Sequence, residues 1–286
     1  MRRDTVRRLP RGLRRLPKSG LVGAVLVAIV MGIALFGRLV TPHPAAQIVG
    51  APYLGPGGGH PLGTDFLGRD LLSRVLAGGL TVVGLSAIAT LAAYLVGATI
   101  GMLAAYVGGL TDALAMRSMD VLLAFPPFLF LLVLASGGGP GPITAVIGVA
   151  VIQIPGVARV IRAAAQEVAV RSYVEAAVAR GESTQYVLSR EIFPNIVSTV
   201  VADGGPRYTG SILLTAGLTF LGLGLQPPAA DWALMISENR DGLTFAPLGV
   251  LVPALLIMLL TIGVNLLGDG IARSLGLSRS GELVES

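Results

Sequence analysis

Long runs without a charged side chain constrain this chain more than any other feature of its sequence. No Asp, Glu, Lys or Arg occurs from residue 80 to 111 or from 121 to 158. An apolar run of about 20 residues crosses a bilayer as an α-helix, because a helix satisfies its own backbone hydrogen bonds. The two runs therefore predict an all-α membrane protein. The share of charged residues, 13% against about 25% in soluble domains, agrees with this fold class.

The apolar runs and the breaks between them predict six transmembrane helices. The sequence SGGGPGP at 136–142 divides the second uncharged run, and Pro126 and Pro127 are expected to kink the helix before it. Gly97 and Gly101 are four residues apart, which allows close helix packing. The helices are expected at 21–40, within 80–111, and at 114–135, 142–161, 198–222 and 247–267. A basic tail at 1–20, an outer loop at 41–79 and a polar tail at 273–286 accompany a core at 80–272, with a second outer loop at 223–246.

The distribution of Lys and Arg predicts the side of the membrane on which each segment lies. Eight of the 21 basic residues occur in the first 18 positions. With that tail inside the cell, 16 of the 21 fall on the cytoplasmic side, in agreement with the positive-inside rule. Both termini are therefore expected in the cytoplasm. Binding of nucleic acid is not expected, since no aromatic platform accompanies the basic tail.

A polar segment at 172–195, SYVEAAVARGESTQYVLSREIFPN, interrupts the apolar part of the chain on the cytoplasmic side. Ser172 and Glu175 have the spacing of a capping box, in which each side chain binds a free backbone N–H at the start of a helix. Gly181 stands where a left-handed residue would end that helix. The pattern predicts two short helices hinged at Gly181, a shape suited to being gripped by a cytoplasmic partner.

The same segment resembles the EAA motif of binding-protein-dependent ABC import permeases. The matching residues are Glu175, Ala176 and Ala177, then Gly181, then Ile192, Phe193 and Pro194. Phe193 stands where the family often has Leu. Four further segments are similar, in the same order, to the C-type permease subunit of dipeptide and oligopeptide importers: HPLGTDFLGRDLLSRVLAG (60–78), GGLTDALAMRSMDVLLAFP (108–126), TFLGLGLQPPAADW (219–232) and NLLGDG (265–270).

This resemblance implies a type I ABC importer permease of the prokaryotic plasma membrane that takes up dipeptides or oligopeptides. The chain would form half of the translocation pore in a heterodimer with a homologous permease. Two cytoplasmic ATPase subunits or domains and an outer solute-binding protein would complete the importer. The segment at 172–195 would dock onto the ATPases, with its two alanines permitting close approach. We assign this coupling to Ser172, Glu175, Ala176, Ala177, Gly181 and Pro194.

Catalysis by the chain itself is not expected. The chain has no Cys, and His43 and His60 are its only histidines, so neither a thiolate site nor a histidine-rich metal site is predicted. Residues 12–19, GLRRLPKS, differ from a phosphate-binding loop by Pro17 at the second glycine position, and Pro offers no N–H to a phosphate. We therefore expect no cofactor in this chain, with ATP and Mg²⁺ bound by the partner ATPases.

Two groups of charged residues have open interpretations. Asp203 and Arg207 are four residues apart and are expected to pair on one face of the fifth helix. They either hold helices together or line the translocation path. Asp65, Arg69 and Asp70 in the outer loop either fold the loop or support docking of the binding protein. The alternative functions are an ion-driven secondary transporter and an importer of nickel complexes or haem.

Overall fold

The structure is a computed structural model, and it describes residues 17–274. The predicted tails at 1–20 and 273–286 therefore lie almost entirely outside the described residues. The long helices are α1 (Lys18–Phe36), α2 (Leu71–Val107), α5 (Pro142–Ala169), α8 (Phe193–Phe220) and α10 (Leu248–Ser274). The shorter helices are α3 (Gly109–Leu123), α4 (Pro127–Gly138), α6 (Ser172–Ala179), α7 (Thr184–Tyr186) and α9 (Trp232–Asn239). The prediction of a helical membrane protein is confirmed.

Membrane-spanning length and composition are met by α1 with its 3₁₀ extension, α2, α5 and α10 within the described residues. The pair α3 and α4 counts as a fifth span if its two halves are taken together, although they are bent by 84°. The kink predicted at Pro126 and Pro127 is confirmed, and it divides the third span predicted at 114–135 into α3 and α4. The break follows from Pro126 and Pro127, because Pro127 begins α4 and a proline cannot donate the hydrogen bond that would continue α3.

The second span begins earlier than predicted. We expected an outer loop to reach residue 79, but α2 starts at Leu71. Asp70 caps the helix, since its carboxylate accepts from the backbone N–H of Ser73 at 2.8 Å. Arg74 lies inside the first turn and is fully buried in ion pairs with carboxylates. Because Arg74 is charged, the predicted start of this helix was placed nine residues too late, at residue 80 rather than 71.

The fourth, fifth and sixth helices also extend beyond the predicted spans. Helix α5 continues to residue 169 rather than 161, and α10 continues to 274 rather than 267. Helix α8 begins at Phe193 rather than 198. In α5 the extension carries Arg162, which forms an ion pair with Asp112 of α3. Charged residues therefore lie on helical turns that continue past the apolar stretch.

Close helix packing is built on glycine. A Cβ atom at Gly101 of α2 would lie 2.5 Å from the carbonyl oxygen of Ala158 in α5, and one at Gly97 would lie 2.9 Å from that of Ile154. Both separations are far below van der Waals contact. The role in packing predicted for Gly97 and Gly101 is thus confirmed, and α2 and α5 form the most extensive helix pair of the described core.

Candidate functional site

The polar segment at 172–195, called the docking segment below, is ordered by Gly181. Helix α6 ends at Ala179, and Gly181 has a φ of +79°. The N–H of Gly181 donates to the carbonyl of Val178 at 2.9 Å, and the N–H of Glu182 donates to that of Ala177 at 3.2 Å. These two bonds form a Schellman motif, in which a left-handed residue closes a helix. The predicted helix-ending role of Gly181 is confirmed.

The predicted capping box is wrong. Ser172 is the first residue of α6, the N-cap is Arg171, and within the described residues no side chain makes a capping hydrogen bond there. A capping side chain must belong to the residue before the first helical one, so Ser172 lies one position too late. Ser183 instead caps α7 and accepts from the N–H of Tyr186 at 3.3 Å.

The second short helix does not end within the docking segment. Helix α7 passes into a π-helical turn at Val187–Ile192 and then into α8. Pro194 is the second residue of α8 and directly follows the π-helical turn, where it cannot donate a backbone hydrogen bond to that turn. The docking segment is therefore a short helix and a glycine hinge followed by the base of a long helix.

The two alanines of the motif have different environments. Ala176 is exposed, whereas Ala177 is fully buried. Ala177 packs with Val174, Val187 and Ile192 in a cluster that includes residues of α2 and α5. Ala177 therefore attaches α6 to the transmembrane core and is not available to a partner, contrary to the sequence expectation. The exposed side chains of α6 include Ser172, Tyr173, Glu175, Ala176 and Val178.

Asp203 and Arg207 form the ion pair expected from their spacing. Arg207 Nε lies 3.0 Å from Asp203 Oδ2, and their side chains are 23% and 16% exposed. The hydroxyl of Tyr94 in α2 donates to the same carboxylate oxygen at 2.7 Å. The guanidinium lies against Gly156 of α5, where an added Cβ would overlap a nitrogen of Arg207. Three helices therefore meet at this pair.

Further polar contacts lie next to the Asp203–Arg207 pair, along α8. The Gln153 side chain donates to the carbonyl of Arg207 at 2.8 Å and to the Ser211 hydroxyl at 3.2 Å. The Thr90 hydroxyl donates to Ser211 Oγ at 2.8 Å. Sequence reasoning missed Tyr94 and Gln153, since neither carries a charge. Both are polar residues within uncharged runs, and that position could have identified them as candidates.

In the loop between α1 and α2, Asp65 and Arg69 belong to a buried ionic cluster with Arg74 and Glu238, called the outer ionic cluster below. Arg69 Nε donates to Asp65 Oδ2 at 2.6 Å. Arg69 and Arg74 both donate to Glu238 Oε2, at 3.0 and 2.7 Å. Burial raises the pKa of Glu238, against the opposing effect of the two guanidinium groups. The cluster joins the loop after α1 to α9, and sequence reasoning missed Glu238.

Asp70 is buried as well. Besides capping α2, its Oδ1 lies 3.2 Å from Nδ1 of His60. Asp65, Arg69 and Asp70 are each at most 2% exposed. These side chains fold the outer loop and do not offer a contact surface, which favours the first of the two interpretations left open by the sequence.

Comparison with known proteins identifies the family of this chain. The family model described as "Binding-protein-dependent transport system inner membrane component" matches residues 97–277. The chain belongs to this family. The permease is also 35% identical to the glutathione transport system permease protein GsiD of Pectobacterium atrosepticum, over 88% of this chain and 84% of that protein. It is 32% identical to the dipeptide transport system permease protein DppC of Alkalihalophilus pseudofirmus, over 90% of this chain and 85% of that protein.

The fold has a counterpart among solved structures. The permease matches a chain of the inward-facing MetNI methionine ABC transporter with a TM-score of 0.58, over 71% of this chain and 95% of that chain. At 15% sequence identity, this likeness concerns the fold alone.

Family membership confirms that the protein is a multi-pass inner-membrane permease subunit of an ATP-driven importer. ATP is hydrolysed by partner subunits, and the family implies an ATPase, a binding protein and a second permease as partners. The expectation that the chain is not itself an enzyme is therefore confirmed by the family to which it belongs.

Proposed function

We propose that this permease imports dipeptides or oligopeptides, forms half of the pore with a homologous second permease, and couples to two cytoplasmic ATPase subunits or domains through the docking segment. The peptide cargo is supported by two relatives, a permease protein of a glutathione transport system and one of a dipeptide transport system. The coupling is carried by one observation. Buried residues of the docking segment belong to the same packed cluster as residues of α2 and α5.

This cluster gives the docking segment a mechanical role. Val174 and Ala177 of α6 pack with Val157, Ile161 and Ala165 of α5. Displacement of α6 by a closing ATPase would therefore move α5 rather than bend a free loop. Packed cores switch between discrete arrangements, since they resist continuous deformation. The exposed face of α6 is left for the ATPase.

Six spans are proposed, with α8 as the span that composition alone does not select. Its 28 residues extend about 42 Å, more than the roughly 30 Å of a hydrocarbon core. It packs against α2, α5 and α10, and its polar residues Asp203 and Arg207 have partners on α2 and α5. With six spans and this distribution of Lys and Arg, both termini are expected in the cytoplasm of a prokaryotic cell, and the loops that enclose the outer ionic cluster face the binding protein.

The Asp203–Arg207 pair is proposed to line the translocation path. Both side chains remain partly exposed although they lie in the middle of α8. A peptide carries an amino and a carboxylate group, and a paired acid and base can interact with both. Replacing both residues by Gln is expected to change uptake kinetics while the importer still assembles. Uptake kinetics equal to those of the wild type would exclude this role.

Gly181 provides the test of coupling. A β-branched residue at φ +79° costs about 1–3 kcal/mol, and among the described residues no atom lies within 4 Å of an added Cβ. Gly181→Val should therefore act through the backbone alone. We expect insertion to be retained and co-purification of the ATPases to fall. Gly181→Asn is the matched control, because Asn tolerates the left-handed conformation, and it should retain most of the docking.

The result that contradicts the coupling proposal is intact ATPase co-purification and uptake in Gly181→Val. Cargo is tested separately, by ATP-dependent uptake of a labelled dipeptide into proteoliposomes that contain the whole importer and its binding protein. A nickel complex and haem serve as competing cargoes. Uptake that stops when ion gradients are collapsed, with ATP still present, would indicate secondary transport instead.

A further inference from the structure

The two histidines of the chain meet at the start of α2. His43 follows α1, His60 lies in a tight turn closed by hydrogen bonds with Gly57, and Asp70 caps α2. One ligand atom from each of these three side chains lies within 4.8 Å of the others. Three separate parts of the outer loop thus bring two imidazoles and a carboxylate to one place.

Two distances suit a metal. His60 Nδ1 and Asp70 Oδ1 are 3.2 Å apart. Ligands about 2.0–2.1 Å from a tetrahedral zinc ion are separated by about 3.3 Å, so this pair already spans one edge of such a site. The imidazole of His43 has its ring centroid 5.7 Å from that of His60. The ligand atom of His43 lies within 4.8 Å of the other two, and a shift of its ring toward them would complete three ligands of such a site.

His43 also carries an unsatisfied atom. Its Nδ1 is buried and has no hydrogen-bond partner in the described part of the chain. A buried polar atom without a partner costs about 1–3 kcal/mol. The backbone of His43 is fixed, because its N–H donates to Ser73 Oγ at 3.0 Å and that hydroxyl donates to Asp70 Oδ2 at 2.6 Å. The ring is thus held beside the carboxylate with coordinating capacity unused.

We propose that His43, His60 and Asp70 bind one divalent transition-metal ion of the zinc class. Two imidazoles and one carboxylate match the ligands preferred by zinc, whereas magnesium and calcium prefer oxygen ligands alone. The negative charge of Asp70 offsets the positive end of the α2 dipole, which would otherwise disfavour a cation there. A fourth position stays open to water. The sequence predicted no histidine-rich metal site, and this proposal departs from that prediction.

The bound ion would cross-link the outer loop. It would tie the segment after α1 and the turn at 57–60 to the first turn of α2. This role is independent of the proposed cargo and of coupling to the ATPases. Metal binding should therefore be measurable in the full chain without transport.

The test is metal titration of the full chain in lipid nanodiscs, purified with a tag free of histidine and stripped with EDTA. The chain has no cysteine and no histidine outside this cluster, so the background from strong ligands is low. Zinc added at micromolar concentration should bind at about one ion per chain, and cobalt should give the absorption bands of a site with nitrogen ligands. Zinc should also slow hydrogen exchange of residues 43–62.

Three variants separate this site from adventitious binding. His43→Gln and His60→Gln should each weaken zinc binding at least tenfold while the metal-free melting temperature stays close to that of the wild type. Asp241→Asn is the matched control, since Asp241 is exposed in the turn after α9 and lies outside the cluster, and it should leave binding unchanged. Absence of stoichiometric zinc in the wild type, or a zinc affinity in both histidine variants equal to that of the wild type, would overturn the proposal.

Discussion

Glu238 is the residue whose loss should damage the outer side most. Its Oε2 accepts from Arg69 at 3.0 Å and from Arg74 at 2.7 Å, and the three side chains are 6%, 3% and 0% exposed. Glu238→Gln keeps the size of the side chain and removes its charge. Two buried guanidinium groups would then share the single carboxylate of Asp65.

The size of the destabilisation by Glu238→Gln follows from this imbalance of charge. Removing one member of a buried ion pair costs about 3–5 kcal/mol, because the remaining charge stays desolvated and unpaired. The value for Glu238→Gln should lie in the lower half of this range, since Asp65 still compensates one guanidinium. The expected consequence is a lower melting temperature of the permease in nanodiscs and faster hydrogen exchange in residues 63–70.

A double-mutant cycle decides whether charge balance is the cause. Arg69→Met in the Glu238→Gln background leaves Asp65 and Arg74 as one balanced pair 3.4 Å apart. The double variant should be less destabilised than the sum of the two single variants. Asp241→Asn on the exposed turn after α9 should change stability by less than about 0.5 kcal/mol. A Glu238→Gln variant within about 1 kcal/mol of the wild type would refute the reasoning.

Two further predictions concern α9 and the pairing of α2 with α5. Burial raises the pKa of Asp231 to about 6 from 3.8, so the folded state binds more protons and stability falls as pH rises from about 4 to 6. Asn caps a helix as well as Asp does. The Asp231→Asn variant should therefore be up to about 3 kcal/mol more stable than the wild type at pH 7.5, and this gain should vanish below pH 4. A difference in melting temperature that does not depend on pH would contradict this prediction. Gly101→Val should separate α2 from α5, because its Cβ would lie 2.5 Å from the Ala158 carbonyl oxygen. The yield of folded protein on size-exclusion chromatography should fall sharply. Gly84→Ala should fold normally, because the space around its added Cβ is open.

The sequence predicted helices well where a single rule governed them. Uncharged runs located most spans, and a glycine in a polar segment identified the end of α6. Boundaries were wrong where charged residues lie inside helices, as Arg74 does in α2. A stronger signal was available there, since Asp70 followed by an apolar run at 71 has the form of an N-cap.

Long-range pairing could not be predicted from the sequence. Arg69 and Arg74 precede Glu238 by 169 and 164 residues, and no local pattern selects Glu238 over other acidic residues. The same holds for Tyr94, which meets Asp203 from 109 residues away. Spacing could predict only the local member of each group, Asp65 with Arg69 and Asp203 with Arg207, because those residues are four positions apart.

Helix α8 connects the two sides of the permease. Its base continues from the docking segment, and its end at Phe220 accepts a hydrogen bond from Ser237 of α9 at 3.0 Å. Glu238, the next residue, belongs to the outer ionic cluster. Under the proposed coupling, a movement of the docking segment would reach the loop beyond Phe220 through this one helix. Pro206 interrupts the hydrogen bonds of that helix beside Arg207. Bending of α8 is therefore expected to be least costly at Pro206, beside the Asp203–Arg207 pair.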